Sequence, residues 1–193
     1  MTDKELIEGI LNREEKYFKE FVDKYQPLVL NVCNSFLHCR SDAEDITQEI
    51  FVDLFLSIHK FRGESKISTW LYRMAVNRSL NFIRNNKKRS IIKSIGSFFS
   101  KDDKRELQIP DTSSLYDDAA ETENERIELL HKAINELPEN QRIAFTLSKF
   151  EKLSYNEITE IMGLSLSSVE GLIHRAMKNV QKKILAHYRK RSG

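Results

Sequence analysis

Apolar residues recur every three or four positions along most of this 193-residue chain, and very little breaks the pattern. Six glycines and three prolines are the only strong punctuation, so long helical stretches run with few enforced turns. Apolar residues make up 40% and charged residues 31%. That balance suits packed cores in small helical units better than one large globule. The expected fold class is all-α: two small helical domains joined by a flexible linker, the C-terminal one containing a helix-turn-helix.

The net charge of +2 conceals an uneven distribution. Arg73, Arg78, Arg84, Lys87, Lys88, Arg89 and Lys93 follow one another with no acidic residue among them. From Leu166 onward, Glu170 is the sole acid in a second basic block. Between the two, Asp111, Asp117, Asp118, Glu121, Glu123 and Glu125 are uninterrupted by Lys or Arg. Two basic blocks and an acidic stretch point to two polyanion-binding modules and a connector.

Other classes find little support. Cys33 and Cys39 give no disulfide framework. With His38 they supply three ligands and no convincing fourth, so a buried or idle thiol is the expectation. The N-terminal segment is too polar for a signal peptide, and no apolar run approaches membrane-spanning length. A reduced, cytoplasmic protein without direct membrane insertion is expected. There is no phosphate-cradling glycine loop, metal-ligand constellation or nucleophile–base pair, so neither an enzyme nor a cofactor is expected.

Asn12 with Glu15 makes a capping-box pattern ahead of Tyr17, Phe18, Phe21, Val22 and Tyr25. Pro27 marks a kink or a new first turn. Ser41 or Asp42 caps the next helix, with Ala43, Ile46, Ile50, Leu54, Ile58 and Phe61 inward. After a polar loop, Ile67, Trp70, Leu71, Met74 and Ala75 fit a helix to about Asn85. These elements form a first domain over 12–92. Residues 93–122 read as a flexible acidic linker. Ile91, Ile92, Ile95, Phe98 and Phe99 either dock on a partner or extend the preceding helix.

The second domain covers 123–190. Ile127, Leu130, Ile134 and Leu137 mark its first helix. Pro138 opens the next, with Ile143, Phe145 and Leu147 inside. Ser154 and Glu157 form a capping box, Gly163 closes a two-turn helix, and Ser165 caps a last helix built on Val169, Leu172, Ile173, Met177, Val180 and Ile184. Leu164 and Leu166 are placed to plug the turn. This is a helix-turn-helix, and its second helix would project Ser167, Ser168, Glu170, Gly171, His174, Arg175 and Lys178 toward a major groove. A plain helical hairpin is the bland alternative. Arg175 and Lys178 suit phosphates or solvent, and Glu170 either accepts from a cytosine amine or points aside.

In the first domain Asp45, Glu49 and Asp53 lie four apart on one helix face, with Gln48 beside them. They form either a solvated face or a docking face for a basic partner. The following helix offers Arg73, Asn77, Arg78, Asn81 and Arg84 opposite its apolar stripe. Asn suits adenine edges, and Arg suits phosphate or guanine. The loop Arg62, Gly63, Glu64, Ser65, Lys66 is polar and hinge-like, as a receiver for an unstacked base would be. Trp70 could stack on a base, but its spacing favours the core.

These residues resemble bacterial RNA polymerase sigma factors of the extracytoplasmic-function group. The resemblance rests on DAEDITQEIF followed by FRGESKISTWLYRMAVNRSLNFIR, and on ELPENQRIAFTLSKFEKLSYNEITEIMGLSLSSVEGLIHRA. It implies that Asp45, Gln48, Glu49 and Asp53 dock on core RNA polymerase. It implies that Arg62 to Lys66 capture a flipped base of the minus-ten element, and that Arg73, Asn77, Arg78, Asn81 and Arg84 read and open that element. The second domain would read the double-stranded minus-thirty-five element, with Arg142 and Tyr155 near phosphates and Ser167, Ser168, Glu170, His174, Arg175 and Lys178 on the reading helix. The linker would thread through the polymerase. Base contacts at Glu170, Gly171 and Leu172 do not transfer, because many members differ there. Members are commonly held inactive by an anti-sigma factor, so such a partner is implied as well.

The implied function is binding core polymerase, directing initiation at promoters and stabilising melted single-stranded DNA. The alternative is a stand-alone helix-turn-helix DNA-binding transcription regulator, which would bind duplex DNA unaided as a dimer on a palindrome. A scaffold using only the acidic face is disfavoured by the basic blocks.

Overall fold

The computed structural model describes residues 1–99 and 122–191, apart from the side chains of 87–99 and 191. Among the described residues there are eight α-helices, a single 3-10 turn and no strand. The all-α expectation holds.

The first helix, α1 (Asp3–Leu11), was not anticipated. Thr2 caps it in a reciprocal box with Glu5, and its buried residues are Leu6, Gly9 and Ile10. The box expected at Asn12 and Glu15 does not form. Asn12 instead terminates α1, and Glu14 starts α2 (Glu15–Leu37) without a side-chain cap. Arg13 takes a left-handed φ of 60° to turn the chain between them. Gly9 lets the Tyr17 ring lie on the α1 backbone, since a Cβ there would meet ring atoms at 2.1–2.4 Å. Asp3 fastens the pair from above: Lys24 Nζ donates to it at 2.6 Å and Tyr25 Oη at 2.7 Å.

α2 passes Pro27 without a break. It buries Phe21, Tyr25, Val29, Val32, Cys33 and Phe36 along one face and closes on His38, whose φ is 54°. α3 (Arg40–Ser57) takes Cys39, not Ser41 or Asp42, as its N-cap, with no side-chain capping bond. It buries Ala43, Ile46, Thr47, Ile50, Phe51 and Leu54 against α2. A 3-10 turn, Ile58–Lys60, leads to the loop before α4 (Ile67–Phe99), which packs on α2 and α3. The α4 backbone therefore continues through Ile91–Phe99, the helical one of the two readings left open. The rest of the expected linker lies outside the described residues.

The C-terminal half comprises α5 (Glu123–Asn135), α6 (Glu139–Lys149), α7 (Tyr155–Met162) and α8 (Leu166–Arg191). The capping box at Ser154 and Glu157 forms, and Gly163 closes α7 at φ 65°. Three expected core residues stay outside: Ile127, Leu166 and Met177 are 42%, 45% and 48% exposed. Ala133 and Ala176 fill the interior instead, with Ile134, Leu137, Phe145 and Val180.

The two halves pack together. One apolar core runs from Phe21, Leu54 and Leu71 through to Leu147, Ile158 and Ile173. α4 lies against α7, and α2 against α6. At ~25 cal/mol per Å² of apolar area, such continuity is the main stabilising term.

Candidate polymerase and nucleic-acid interface

α3 presents the first surface. Asp45, Gln48 and Glu49 are exposed, and Asp53 is half-buried. Val52 and Leu56 stand among them, 59% and 66% exposed. Two large aliphatic side chains thus stand in water beside the carboxylates. Composition alone hid these two, because α3 carries apolar residues around most of its circumference.

The loop after α3 turns at Gly63, whose φ is 72°. Arg62 and Glu64 form an exposed ion pair at 3.9 Å. The loop borders a cleft of about 500 Å³ that α1 closes on its far side, with Ile7, Phe61, Ser65, Lys66 and Ile67 in its walls. That volume falls in the range of small-ligand sites. Trp70 is half-buried and packs on Phe61, ring centroids 5.5 Å apart.

α4 carries the predicted row, but its three arginines are engaged. Asn77 and Asn81 are exposed. Arg78 does not face outward unpaired: its Nε donates to Asp53 Oδ2 at 2.8 Å, its Nη2 bonds the same oxygen, and Glu49 lies 3.7 Å away. The carboxylates hold its pKa above the ordinary value. Residues assigned to separate surfaces thus pair with each other. Arg73 reaches the other half of the molecule: Nε donates to the Ile161 carbonyl at 3.2 Å and Nη2 to the Glu160 carbonyl. Arg84 Nε lies 3.5 Å from Glu139.

The helix-turn-helix holds the predicted surface on α8. Ser167, Ser168, Glu170, His174, Arg175 and Lys178 are exposed, and Gly171 is half-buried. The Ser168 N–H donates to Ser165 Oγ at 3.3 Å, which caps the helix. Arg175 folds back over Gly171, where a Cβ would sit 3.2 Å from Nη1. Tyr155 is 38% exposed at the start of α7. Arg142 departs from the expected phosphate position: it is only 5% exposed, and burial lowers its pKa. Its neighbourhood includes His38, stacked on His131 with ring centroids 3.7 Å apart. Burial, then His131 and Arg142, lower the His38 pKa to about 4. Ser35 meanwhile donates to Glu151 at 2.6 Å across the same boundary.

The described surface therefore carries an acidic–apolar face on α3, an internally paired arginine row on α4 and exposed basic residues on α8. The Sigma-70 region 2 family matches residues 21–89, and Sigma-70, region 4 matches 127–180. The RNA polymerase sigma-H factor of Pseudomonas aeruginosa is 31% identical, covering 93% of this chain and 92% of that protein. The ECF RNA polymerase sigma-E factor of Haemophilus influenzae is 33% identical over 95% of this chain and 96% of its own length. In fold, the chain is similar to CnrH in complex with the cytosolic domain of CnrY, with TM-score 0.64 at 19% identity, covering 95% and 97% of the two chains. The chain belongs to the extracytoplasmic-function group of the sigma-70 family, and its function is promoter-directed transcription initiation on core RNA polymerase. The stand-alone regulator is not favoured, because both halves match in order. Among the described residues no helix is long and apolar enough to cross a membrane.

Proposed function

We propose that α3 docks this subunit on the polymerase through Asp45, Gln48, Glu49 and Asp53, with Val52 and Leu56 supplying the apolar part of the contact. The carboxylates steer the approach of a basic surface, and desolvation of the two aliphatic side chains gives binding strength. The observation that carries this reading is the exposure of Val52 and Leu56 within the acidic row.

The loop Arg62 to Lys66 and the row Arg73, Asn77, Arg78, Asn81 and Arg84 then take the minus-ten element. Its unstacked base enters the cleft beside Phe61. Extruding a base costs a few kcal/mol, and stacking on protein returns roughly 1–3 kcal/mol. Melting therefore needs the polymerase's own contacts, and the protein acts without catalysis. The second domain reads duplex minus-thirty-five DNA through Ser167, Ser168, Glu170, His174, Arg175 and Lys178, with Tyr155 at a phosphate. The domain limits 12–92 and 123–190 carry these roles, with the first extended to include α1. The protein works in the cytoplasm. An anti-sigma factor is its inhibitor, as the fold likeness to CnrH in complex with the cytosolic domain of CnrY and to the sigma factor RpoE in complex with the anti-sigma factor NepR suggests.

In vitro transcription with purified core polymerase and genomic fragments tests the whole. Discrete start sites that depend on this subunit are expected. Transcription indistinguishable from core alone, with binding to core intact, overturns the promoter reading.

A further inference from the structure

We propose that Glu170 makes this subunit select a cytosine within the double-stranded minus-thirty-five element, its carboxylate accepting a hydrogen bond from the N4 amine in the major groove. The inference rests on the reading of α8 as the helix that enters that groove, and it names the base that one of its positions takes.

Val169 and Ile173 are buried and turn the inner side of α8 into the core. On the outer side, Ser167, Glu170 and His174 follow one another at helical spacing and share one row. Ser168, Gly171, Arg175 and Lys178 form the row beside it. Glu170 is the sole acid from Leu166 onward, yet it is exposed and, among the described residues, no hydrogen bond or ion pair holds its carboxylate. Arg175 lies over Gly171, in the other row, with Nη1 3.2 Å from where a Cβ would stand. The first-turn hydroxyls face one another: Ser165 Oγ is 3.2 Å from Ser167 Oγ and 2.8 Å from Ser168 Oγ. Near the N-terminal end of the reading helix, Glu170 is therefore the strong acceptor left open.

An open carboxylate at a DNA surface carries a cost. Phosphates repel it, and it has no N–H to give them. The major-groove edges of the bases divide sharply in how they receive it. Guanine offers N7 and O6 and thymine offers O4, all acceptors that a carboxylate meets unfavourably. Adenine offers its N6 amine, but with the N7 acceptor beside it. Cytosine offers the N4 amine alone. The charge thus rewards cytosine and penalises guanine and thymine, so discrimination comes from rejection as well as attraction.

The test uses holoenzyme assembled from core polymerase and the full chain. A promoter identified with genomic fragments is randomised across its minus-thirty-five element. Templates bound by wild type, Glu170→Gln and Glu170→Ala are recovered and sequenced, and the thermal unfolding of each chain is measured. With wild type, one position of the element should hold cytosine about fivefold or more over guanine and thymine. Glu170→Gln should move that position toward adenine, whose N6 and N7 suit an amide. Glu170→Ala should leave it without preference. The other positions and the melting temperature should not change. The same preference in all three forms overturns the proposal. So does a uniform gain in binding to every template once the charge is removed, because that places the carboxylate against phosphates. Absence of enrichment at any position, in every form, fails the reading of α8 and the inference with it, whereas enrichment indifferent to Glu170 fails the inference alone.

Discussion

Gly9 shows how much one missing methyl group settles. The Tyr17 ring rests where a Cβ would stand, and the nearest ring atom is Cγ, which cannot swing away without moving the whole side chain. Gly9→Ala gains up to about 1 kcal/mol of helix propensity. It also forces overpacking that costs about 1–3 kcal/mol. A net destabilisation of about 1–2 kcal/mol is expected from urea denaturation, and a variant as stable as wild type would contradict the packing. Gly163 is constrained differently. Its surroundings are open, but φ is 65°, so Gly163→Ala costs about 1 kcal/mol through backbone strain alone. Asp3 serves α1 by charge. Bonds from Lys24 and Tyr25 hold its carboxyl below the usual range, against a smaller desolvation effect. Its stabilisation is therefore present above the unfolded carboxylate pKa and lost as pH falls through the folded one.

At the scale of elements, polymerase affinity is expected to depend on the outer face of α3. Glu49 also serves Arg78, so reversing it mixes two effects. Asp45→Lys with Leu56→Ala avoids that pair. The double variant should bind core polymerase at least tenfold more weakly with an unchanged melting temperature, and unaltered affinity would remove α3 from the interface. The capping box of α7 gives a second expectation: Ser154→Ala costs about 1 kcal/mol and loosens the helix-turn-helix, visible as faster amide exchange in α7. Elements were legible in the sequence where apolar spacing and a capping pair coincided, as at α7 and α8. They were not where a pattern was ambiguous. Asn12 and Glu15 imitate a box, yet Asn12 has φ −78° and ψ 2°, far from the extended geometry a cap requires. Pro27 lacks an N–H to donate, but burial of Tyr25 and Val29 on either side keeps α2 whole. Val52 and Leu56 could have been noticed, because they fall on the same face as Glu49 and Asp53.

For the whole molecule, what the sequence concealed is the contact between halves. Arg73 binds main-chain oxygens, which have no signature in a string of side chains, and Arg142 looks like any exposed cation until its burial is known. The boundary should respond to acid. His38 faces His131 and Arg142, and Glu128 lies near His131. The folded His38 pKa of about 4 is below the ordinary 6.5, and burial lowers that of His131 as well. The unfolded chain thus binds protons that the folded one refuses. Stability is complete above the ordinary histidine pKa and is lost as pH falls through the folded value. Glu151 acts in the opposite sense, because burial raises its pKa and the folded state takes up its proton more readily. Denaturation of wild type and His38→Phe at several pH values separates them: the variant should lose most of the decline across this window. A parallel decline in both would assign the acid sensitivity elsewhere.

The peptide oxygens at the end of α7 have one more implication. Any residue at positions 160 and 161 brings a carbonyl with it, provided the helix still forms. Drift in the outward side chains of α7 and α8 can therefore proceed while the main-chain oxygens that Arg73 grips stay in place, so the seam between the halves tolerates change in the very helices that carry it.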